Sequence, residues 1–261
     1  MDPKQRRQKI IDLLHENEGR LSLKELGNHF DVSQSALYKD LEVMQKHRLI
    51  KKVYGGLELI NMEAREHNFY NSLRANSKKK ILIAKEAAKL VDNNETIFAD
   101  GSSTTFYFCE ELKEMDIKNV TIITNSVFIS QEFLLEDNFN VICTGGILNK
   151  DIGTFGGDLW ENIILNNLNS SKFFFSSYGI SLESGALDPF IPADSSMKKA
   201  FAAKSLKNVC LADSSKFKIN GTINWIGFDN IDTLVTDALI EESVLEKLKE
   251  KNINIIIAGV K

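Results

Sequence analysis

The spacing of apolar residues near the start of the chain predicts two short helices joined by a tight turn. Ser22 precedes the first helix, and Ser33 precedes the second; serine is a preferred residue at a helix N-terminus. In the second helix, Leu37, Leu41 and Met44 recur about one turn apart and form one apolar face. This arrangement predicts a helix-turn-helix in which the first helix braces the second.

The outward face of the second helix is the predicted DNA contact, since that face enters the major groove in helix-turn-helix proteins. A hairpin around Gly55 and Gly56 follows and predicts the wing of a winged helix. The predicted DNA-contacting residues are Ser33, Gln34, Ser35, Ala36, Tyr38, Lys39, Lys51, Lys52 and Tyr54. Helix-turn-helix shapes also occur as plain packing motifs, but the hairpin and its paired lysines favour the DNA-binding interpretation.

From residue 78 onward, apolar runs with strand character alternate with helical stretches. This alternation predicts an α/β fold around a mainly parallel sheet. We expect a winged helix over 1–60, a helical connector over 61–77 and a larger α/β domain over 78–261. The predicted strands are Thr96–Ala99, Val120–Thr124, Asn140–Thr144, Lys172–Ser176, Asn208–Ala212, Thr233–Thr236 and Ile253–Ala258. The predicted helices are Arg6–Asn17, Lys78–Val91, Thr104–Glu114, Val127–Leu135, Leu159–Leu168, Ser195–Leu206 and Glu242–Lys251.

Composition places the chain among ordinary globular proteins and makes the two predicted domains unequal in charge. The 261 residues are 43% hydrophobic and 26% charged, and no apolar run approaches the roughly 20 residues of a membrane span. No signal peptide is evident, so we expect a cytoplasmic protein without a membrane partner. Residues 1–60 carry a net charge of +2 and the remainder −6, which favours a polyanionic partner for the first domain.

The three cysteines show no pairing or metal-binding pattern. Cys109, Cys143 and Cys210 lie far apart in apolar surroundings, which predicts buried free thiols. No histidine has metal-ligand spacing with them, so we expect no structural zinc. No loop matches a nucleotide P-loop or a dinucleotide fingerprint, and no cofactor is predicted.

Small polar residues follow several predicted strands and indicate a ligand site. In open α/β sheets, ligands bind at the carboxyl ends of the strands, and a following helix N-terminus favours phosphate. The predicted effector-binding residues are Asp100, Gly101, Ser102, Ser103, Thr104, Asn125, Ser126, Gly145, Gly146, Lys198, Asp213 and Lys216. Each such loop has a plain alternative as a turn or a helix cap. Together they predict a pocket for a small, hydroxylated, phosphorylated molecule.

These residues resemble the DeoR family of bacterial sugar-metabolism repressors over nearly the whole chain. The matches in the first domain are Val32-Ser33, Asp40-Leu41 and Gly55-Gly56, whereas Leu37-Tyr38-Lys39 and Tyr54 depart from the family pattern. The matches in the second domain are Thr124-Asn125-Ser126, Gly145-Gly146, Phe155-Gly156, Gly179-Ile180 and Asp213-Ser214-Ser215-Lys216-Phe217. In the second domain, Gly101 is shifted by one position, and Asp194 stands where a glutamate is usual.

The resemblance implies a sensor domain similar in fold to ribose-5-phosphate isomerase, and a homo-oligomeric regulator of carbohydrate genes that binds operator DNA and a phosphorylated sugar. It adds Asp194 to the predicted effector-binding residues. The alternative is a sugar-phosphate isomerase with an accessory first domain, in which Asp100, Asp194 or Asp213 is the base. The isomerase's Lys-Gly-Gly loop has no evident counterpart here, so we predict a regulator and no catalytic residue.

Overall fold

A computed structural model of the chain describes residues 3–17, 20–30, 32–46, 50–53, 55–59, 69–189 and 192–259. The chain forms two compact units, Met1–Glu66 and His67–Lys261. Within the described residues, no helix is long and apolar enough to cross a membrane.

The smaller unit is a winged helix, as predicted. Its helices are α1 (Pro3–Glu16), α2 (Leu23–His29) and α3 (Gln34–Lys46), and its strands are β1 (Arg20–Ser22), β2 (Ile50–Val53) and β3 (Gly56–Leu59). The strands form an antiparallel sheet in the order β1-β3-β2. Ser22 caps α2, as its position predicts, and forms a capping box with Glu25. The predicted apolar face of α3 is buried in the core with α1 and α2.

The paired glycines of the wing each have a separate structural reason. Gly55 has a φ of +83° in the β2–β3 turn, a conformation that favours glycine. Gly56 lies against β1, where an added Cβ would be 2.3 Å from the carbonyl oxygen of Leu21. The three-residue strand β1 was not predicted, and its close approach to the hairpin requires the second glycine.

The larger unit is built on a seven-stranded parallel sheet. Its order is β15-β14-β12-β9-β4-β5-β6, and these seven strands are the seven predicted from the sequence. Their bounds are β4 (Thr96–Ala99), β5 (Val120–Thr124), β6 (Phe139–Cys143), β9 (Ser170–Phe175), β12 (Ser205–Leu211), β14 (Thr233–Asp237) and β15 (Asn254–Ala258).

Helices cover both faces of this sheet. They are α4 (Phe69–Arg74), α5 (Ser77–Ala88), α6 (Ser103–Lys113), α7 (Val127–Glu132), α8 (Asp158–Asn167), α9 (Pro192–Ala203) and α10 (Glu242–Lys249). Along β9, Phe174 belongs to the core under α5 and α6, whereas Phe173 and Phe175 belong to the core under α8 and α9. This alternation buries both faces of a central strand, as parallel sheets require.

Short antiparallel strands form two further sheets, which were not predicted. They form a hairpin of β7 (Ile147–Asn149) with β8 (Thr154–Gly156), and a three-stranded sheet of β10 (Gly179–Ser181), β11 (Gly185–Asp188) and β13 (Ile223–Ile226). A 3-10 turn at Ser214–Lys218 follows β12.

Three details differ from the sequence predictions. The predicted helix Ser195–Leu206 ends at Ala203 because β12 already begins at Ser205, where it pairs with β9. Cys143 is exposed, while the other two cysteines are buried; it ends the edge strand β6, which has a neighbour on one side only. In α5, the sequence predicts an apolar face of Ile81, Ala84, Ala88 and Val91, but Ile81 is only half-buried and Lys80 is buried instead.

Candidate functional sites

The outer face of α3 presents a polar surface over a fixed apolar core. Gln34, Ser35, Tyr38 and Lys39 are exposed, and Ala36 is half-buried. Ser33 accepts a hydrogen bond from the backbone N–H of Ala36 through its Oγ, at 3.3 Å, and so caps the start of the helix. These residues have the exposure that a major-groove contact requires.

The wing continues this surface on one side. The Nζ of Lys52 lies 5.4 Å from the centre of the Tyr38 ring, so the wing lysine and the helix tyrosine are adjacent. Lys51 differs from Lys52 because its Nζ lies 3.2 Å from a carboxylate oxygen of Glu58 on β3. Tyr54, the third wing residue predicted to contact DNA, lies outside the described residues.

A buried ion pair fixes α3 to α1. The Nε of Arg6 lies 2.5 Å from Oδ2 of Asp40, and Nη1 of Arg7 lies 3.0 Å from Oδ1. The Asp40 side chain is 3% exposed, so its charge depends on these two arginines for compensation. This contact holds the predicted recognition helix in place from its inner side.

The candidate effector site lies where the strand order of the large sheet reverses. From β4 the chain proceeds to β5 and β6 on one side, whereas β9 is followed by β12, β14 and β15 on the other. The loops that follow the carboxyl ends of β4 and β9 therefore lead away in opposite directions. Open α/β sheets bind ligands in the crevice that such loops leave. Of the predicted residues, Asp100 to Thr104 follow β4, and Asp213 and Lys216 follow β12.

Asp100 organises the loop at this point. It is 1% exposed, and its carboxylate accepts hydrogen bonds from the backbone N–H of Ser102 and the hydroxyl of Thr105, at 3.1 and 2.7 Å. It also accepts one from the backbone N–H of Ser176 at 3.1 Å. Ser102 in turn caps α6. These contacts give Asp100 a structural role in shaping the loop.

Gly101 and Asn125 bring the β7–β8 hairpin against the same loop. A Cβ on Gly101 would lie 2.1 Å from Cγ2 of Thr154, so a side chain does not fit there. Asn125 is 1% exposed, and its Nδ2 donates to the carbonyl of Phe155 at 3.2 Å. Its Oδ1 is buried and has no hydrogen-bond partner among the described residues. A ligand hydroxyl would satisfy this acceptor.

Lys198 neutralises two buried carboxylates. Its Nζ lies 2.8 Å from Asp188 and 3.6 Å from Asp100, and it also donates to the carbonyl of Ser176 at 3.2 Å. Trp225 lies under it, with 5.4 Å between Nζ and the ring. Lys198 therefore stabilises the loops after β4 and β9 through protein contacts.

Lys216 and Lys80 supply positive charge that the described protein groups do not fully compensate. Burial lowers the pKa of Lys216 from its ordinary value, and no carboxylate of the described residues lies within ion-pair distance of its Nζ. Burial and the charge of Lys216 lower the pKa of Lys80 to about 8. Lys80 also donates to Oγ of Ser103 at 2.9 Å, at the start of α6. An anion at this helix N-terminus would compensate both lysines.

Asp213 presents one carboxylate oxygen to the same region. Its Oδ1 accepts hydrogen bonds from the backbone N–H and the hydroxyl of Ser215, and from Nδ2 of Asn76. Its Oδ2 is buried and has no partner among the described residues. Like Oδ1 of Asn125, this oxygen accepts hydrogen bonds and matches a ligand that presents hydroxyl groups.

The remaining predicted residues are less closely connected to this cluster. Ser126 is buried and caps α7. Thr104 is buried in the first turn of α6. Gly145 and Gly146 have φ values of +68° and +112° in the turn between β6 and β7, and no described side-chain contact joins them to the lysines. The backbone of Asp194 lies in α9, but its side chain is outside the part of the chain that the structure describes.

Sequence reasoning missed Lys80, Asn76 and Asp188. A signal for Lys80 was present, because it lies four and seven residues before the buried alanines Ala84 and Ala87. A lysine on the apolar face of a helix is buried together with its charge. Burial of a charge costs free energy unless a partner compensates it, so such a lysine indicates a partner or a function. Asp188 gave no comparable signal, since it lies at the end of the short strand β11.

Comparison with known protein families gives two matches that together span most of the chain. Residues 6–63 match the DeoR-like helix-turn-helix domain. Residues 75–238 match the DeoR C-terminal sensor domain. The boundary between the two matches lies close to the boundary between the compact units.

Individual relatives agree with these matches. The HTH-type transcriptional regulator GolR of Listeria innocua is 34% identical over 99% of this chain and 100% of its own length. The L-fucose operon activator of Haemophilus influenzae is 26% identical over 92% of this chain and 94% of its own. Among solved structures, ribose 5-phosphate isomerase from Plasmodium falciparum aligns with 53% of this chain and 52% of its own, at 18% identity and a TM-score of 0.39.

Proposed function

This chain belongs to the DeoR family of helix-turn-helix transcriptional regulators, and we propose that it represses genes of carbohydrate uptake or catabolism under the control of a phosphorylated sugar. The observation that carries the proposal is the buried Lys80 at the start of α6, together with the charge of the half-buried Lys216 that acts on it. The relative named an L-fucose operon activator supports carbohydrate control in this family.

Two buried hydrogen-bond acceptors in the loops after β5 and β12 support a sugar as the carrier of the phosphate. Oδ1 of Asn125 and Oδ2 of Asp213 lack partners among the described residues, and hydroxyl groups of a sugar would donate to them. Ser103, in the first turn of α6, accepts a hydrogen bond from Lys80, so this lysine lies at a helix N-terminus, where a phosphate is favoured. We therefore assign phosphate binding to the lysines and hydroxyl binding to Asn125 and Asp213.

The proposed mechanism requires two arrangements of the protein with different affinities for the effector. An effector changes operator affinity only if it binds one arrangement more tightly than the other. We propose that the protein acts as a homo-oligomer, because helix-turn-helix regulators bind paired half-sites. Among the candidate bases of the alternative isomerase, Asp100 is disfavoured because its carboxylate is hydrogen-bonded to three protein donors.

The proposal is tested by selecting bound duplexes from a random DNA library and measuring their affinity with and without sugar phosphates. We expect one enriched sequence, whose affinity changes when a phosphorylated sugar is added. Failure to enrich any sequence would contradict specific operator binding. Enrichment with no response to any phosphorylated sugar would contradict the proposed effector.

The lysines on the α3 and wing surface are expected to set the salt dependence of DNA binding. Each phosphate contact contributes about 0.9 to the slope of log affinity against log salt, so Lys39→Ala and Lys52→Ala should each lower the slope by about that amount. Lys51→Ala should lower it less, because Glu58 already pairs with Lys51. The measurement is fluorescence anisotropy of a labelled duplex over a salt series.

The control for these variants is Lys207→Ala, which removes an exposed lysine from β12 in the larger unit, His67–Lys261, called the sensor unit from here on. Its slope should equal that of the wild type. Unchanged slopes for both Lys39→Ala and Lys52→Ala would show that the DNA contact lies elsewhere.

Effector affinity should fall as the pH rises through about 8, the pKa of Lys80. A bound phosphate favours the charged lysine, so binding above this pH requires the uptake of one proton. The affinity should then fall by up to about tenfold per pH unit above 8. The second ionisation of a phosphate ester, near pH 6, is complete in this range and does not contribute.

The pH effect is measured by titration calorimetry between pH 7 and pH 9.5. Lys80→Arg keeps its charge throughout, so the part of the fall that Lys80 causes near pH 8 should be absent. A wild-type affinity that stays constant over the whole range would contradict the placement of Lys80 beside the phosphate.

A further inference from the structure

Helix α4 is the first described element after the winged helix in the sequence, and aromatic contacts dock it in the sensor unit. The ring of Phe69 stacks on Phe128 with 4.0 Å between centroids and meets the edge of Phe106 at 5.5 Å. The backbone N–H of Phe69 donates to the carbonyl of Asp151 at 3.2 Å. α4 therefore has a defined docked position at the start of the sensor unit.

Lys80 connects α4 to the candidate effector site. Its Nζ donates both to the carbonyl of Ser72 in α4 and to Oγ of Ser103 at the start of α6. The Ser72 carbonyl lies in the last turn of α4, where carbonyls lack partners within the helix and a positive charge is stabilising. One ammonium group thus caps α4 and lines the proposed phosphate site.

Asn76 provides a second connection. It lies between α4 and α5 with a φ of +54°, a left-handed conformation that asparagine tolerates. Its Nδ2 donates to Oδ1 of Asp213 at 3.2 Å and to Oγ of Ser215 at 3.1 Å. The turn that follows α4 is therefore bonded to the loop that carries the free Asp213 oxygen.

We infer that effector binding stabilises the docked position of α4 through Lys80 and Asn76, so that occupancy of the site is transmitted to the point where the chain enters the sensor unit. This inference rests on the proposed effector site. A lysine ammonium has three donors, and two of them already meet Ser72 and Ser103. The third donates to no oxygen of the residues that the structure describes and can meet a ligand oxygen. The ligand and α4 are then held by the same charged group, and each favours the binding of the other.

The test is hydrogen exchange of the full-length protein with and without saturating inorganic phosphate, analysed by mass spectrometry. The phosphate concentration is saturating when further phosphate no longer raises the melting temperature of the protein. The peptide that covers 69–76 should exchange about threefold to tenfold more slowly with phosphate. A peptide from α10 (Glu242–Lys249) is the internal control and should not change. Lys80→Met should abolish the change in the α4 peptide.

The possible outcomes distinguish a failure of the coupling to α4 from a failure of the phosphate site on which the coupling rests. A saturable rise in melting temperature without slower exchange of α4 would overturn the coupling and leave the phosphate site intact. Slower exchange of α4 that persists in Lys80→Met would overturn the role of Lys80. No response of the wild type in either measurement would overturn both the coupling and the phosphate site. The wild-type comparison decides the question even if Lys80→Met fails to fold.

Discussion

Replacement of Asp40 with alanine is expected to destabilise the winged helix by about 3–5 kcal/mol, the usual effect of removing one partner of a buried ion pair. Asp40 is bonded to Arg6 and Arg7, and its loss removes the carboxylate that both guanidinium groups contact. Since this ion pair joins α1 to α3, the backbone amides of both helices should become less protected from hydrogen exchange. Operator affinity should also fall, because α3, the predicted DNA-contacting helix, is no longer held in place.

The effect is measured as the free energy of opening from hydrogen exchange of α1 and α3 in the full-length protein. The matched control is Glu42→Ala, which removes an exposed acid from the same helix and should change this free energy by less than about 0.5 kcal/mol. Exchange of α6 in the sensor unit reports on the other unit and should not change. A loss of under 1 kcal/mol for Asp40→Ala would show that the ion pair is dispensable.

The double substitution Ser103→Ala and Lys216→Ala is expected to abolish the effector response while operator binding is retained. Hydrogen bonds to charged groups contribute about 1.5–3 kcal/mol each, so the loss of both contacts should weaken effector binding by 100-fold or more. Neither residue belongs to the winged helix, so DNA affinity without effector should be unchanged. The measurement is operator binding over a titration of the phosphorylated sugar.

The control for this variant is Lys218→Ala. Lys218 lies in the same 3-10 turn as Lys216, but it is exposed and pairs with Glu241 at 2.7 Å. Its removal should leave the response as in the wild type. A normal response in the double variant would place the phosphate site elsewhere.

The strands of the large sheet were predictable because their burial on both faces leaves continuous apolar runs in the sequence. β9, with Phe173, Phe174 and Phe175 directed into two cores, is the clearest case. The short strands were not predictable in this way. β1 has three residues, and the contact of Leu21 with Gly56 in the hairpin fixes its position. Such strands depend on tertiary pairing that a local pattern does not contain.

The sequence predicted which loops form the candidate effector site, but it did not predict which residue in them has which role. Strand ends and turn residues indicated the loops after β4 and β12, and these lie at the carboxyl edge of the sheet. No sequence pattern distinguishes Lys198, which pairs with Asp100 and Asp188, from Lys216, which has no such partner among the described residues. Which carboxylates a lysine meets depends on crossovers between distant strands.

The most direct test of the central claim is thermal unfolding of the purified protein against sugar phosphates and their unphosphorylated parents. A ligand that binds only the folded state stabilises it by about 2.7 kcal/mol at 100 times its dissociation constant. We predict a rise in melting temperature with at least one phosphorylated sugar, no rise with its parent sugar, and loss of the rise in Lys216→Ala. Equal rises with a sugar phosphate and its parent, or no rise with any phosphorylated sugar, would contradict a phosphate-sensing site at Lys80 and Lys216.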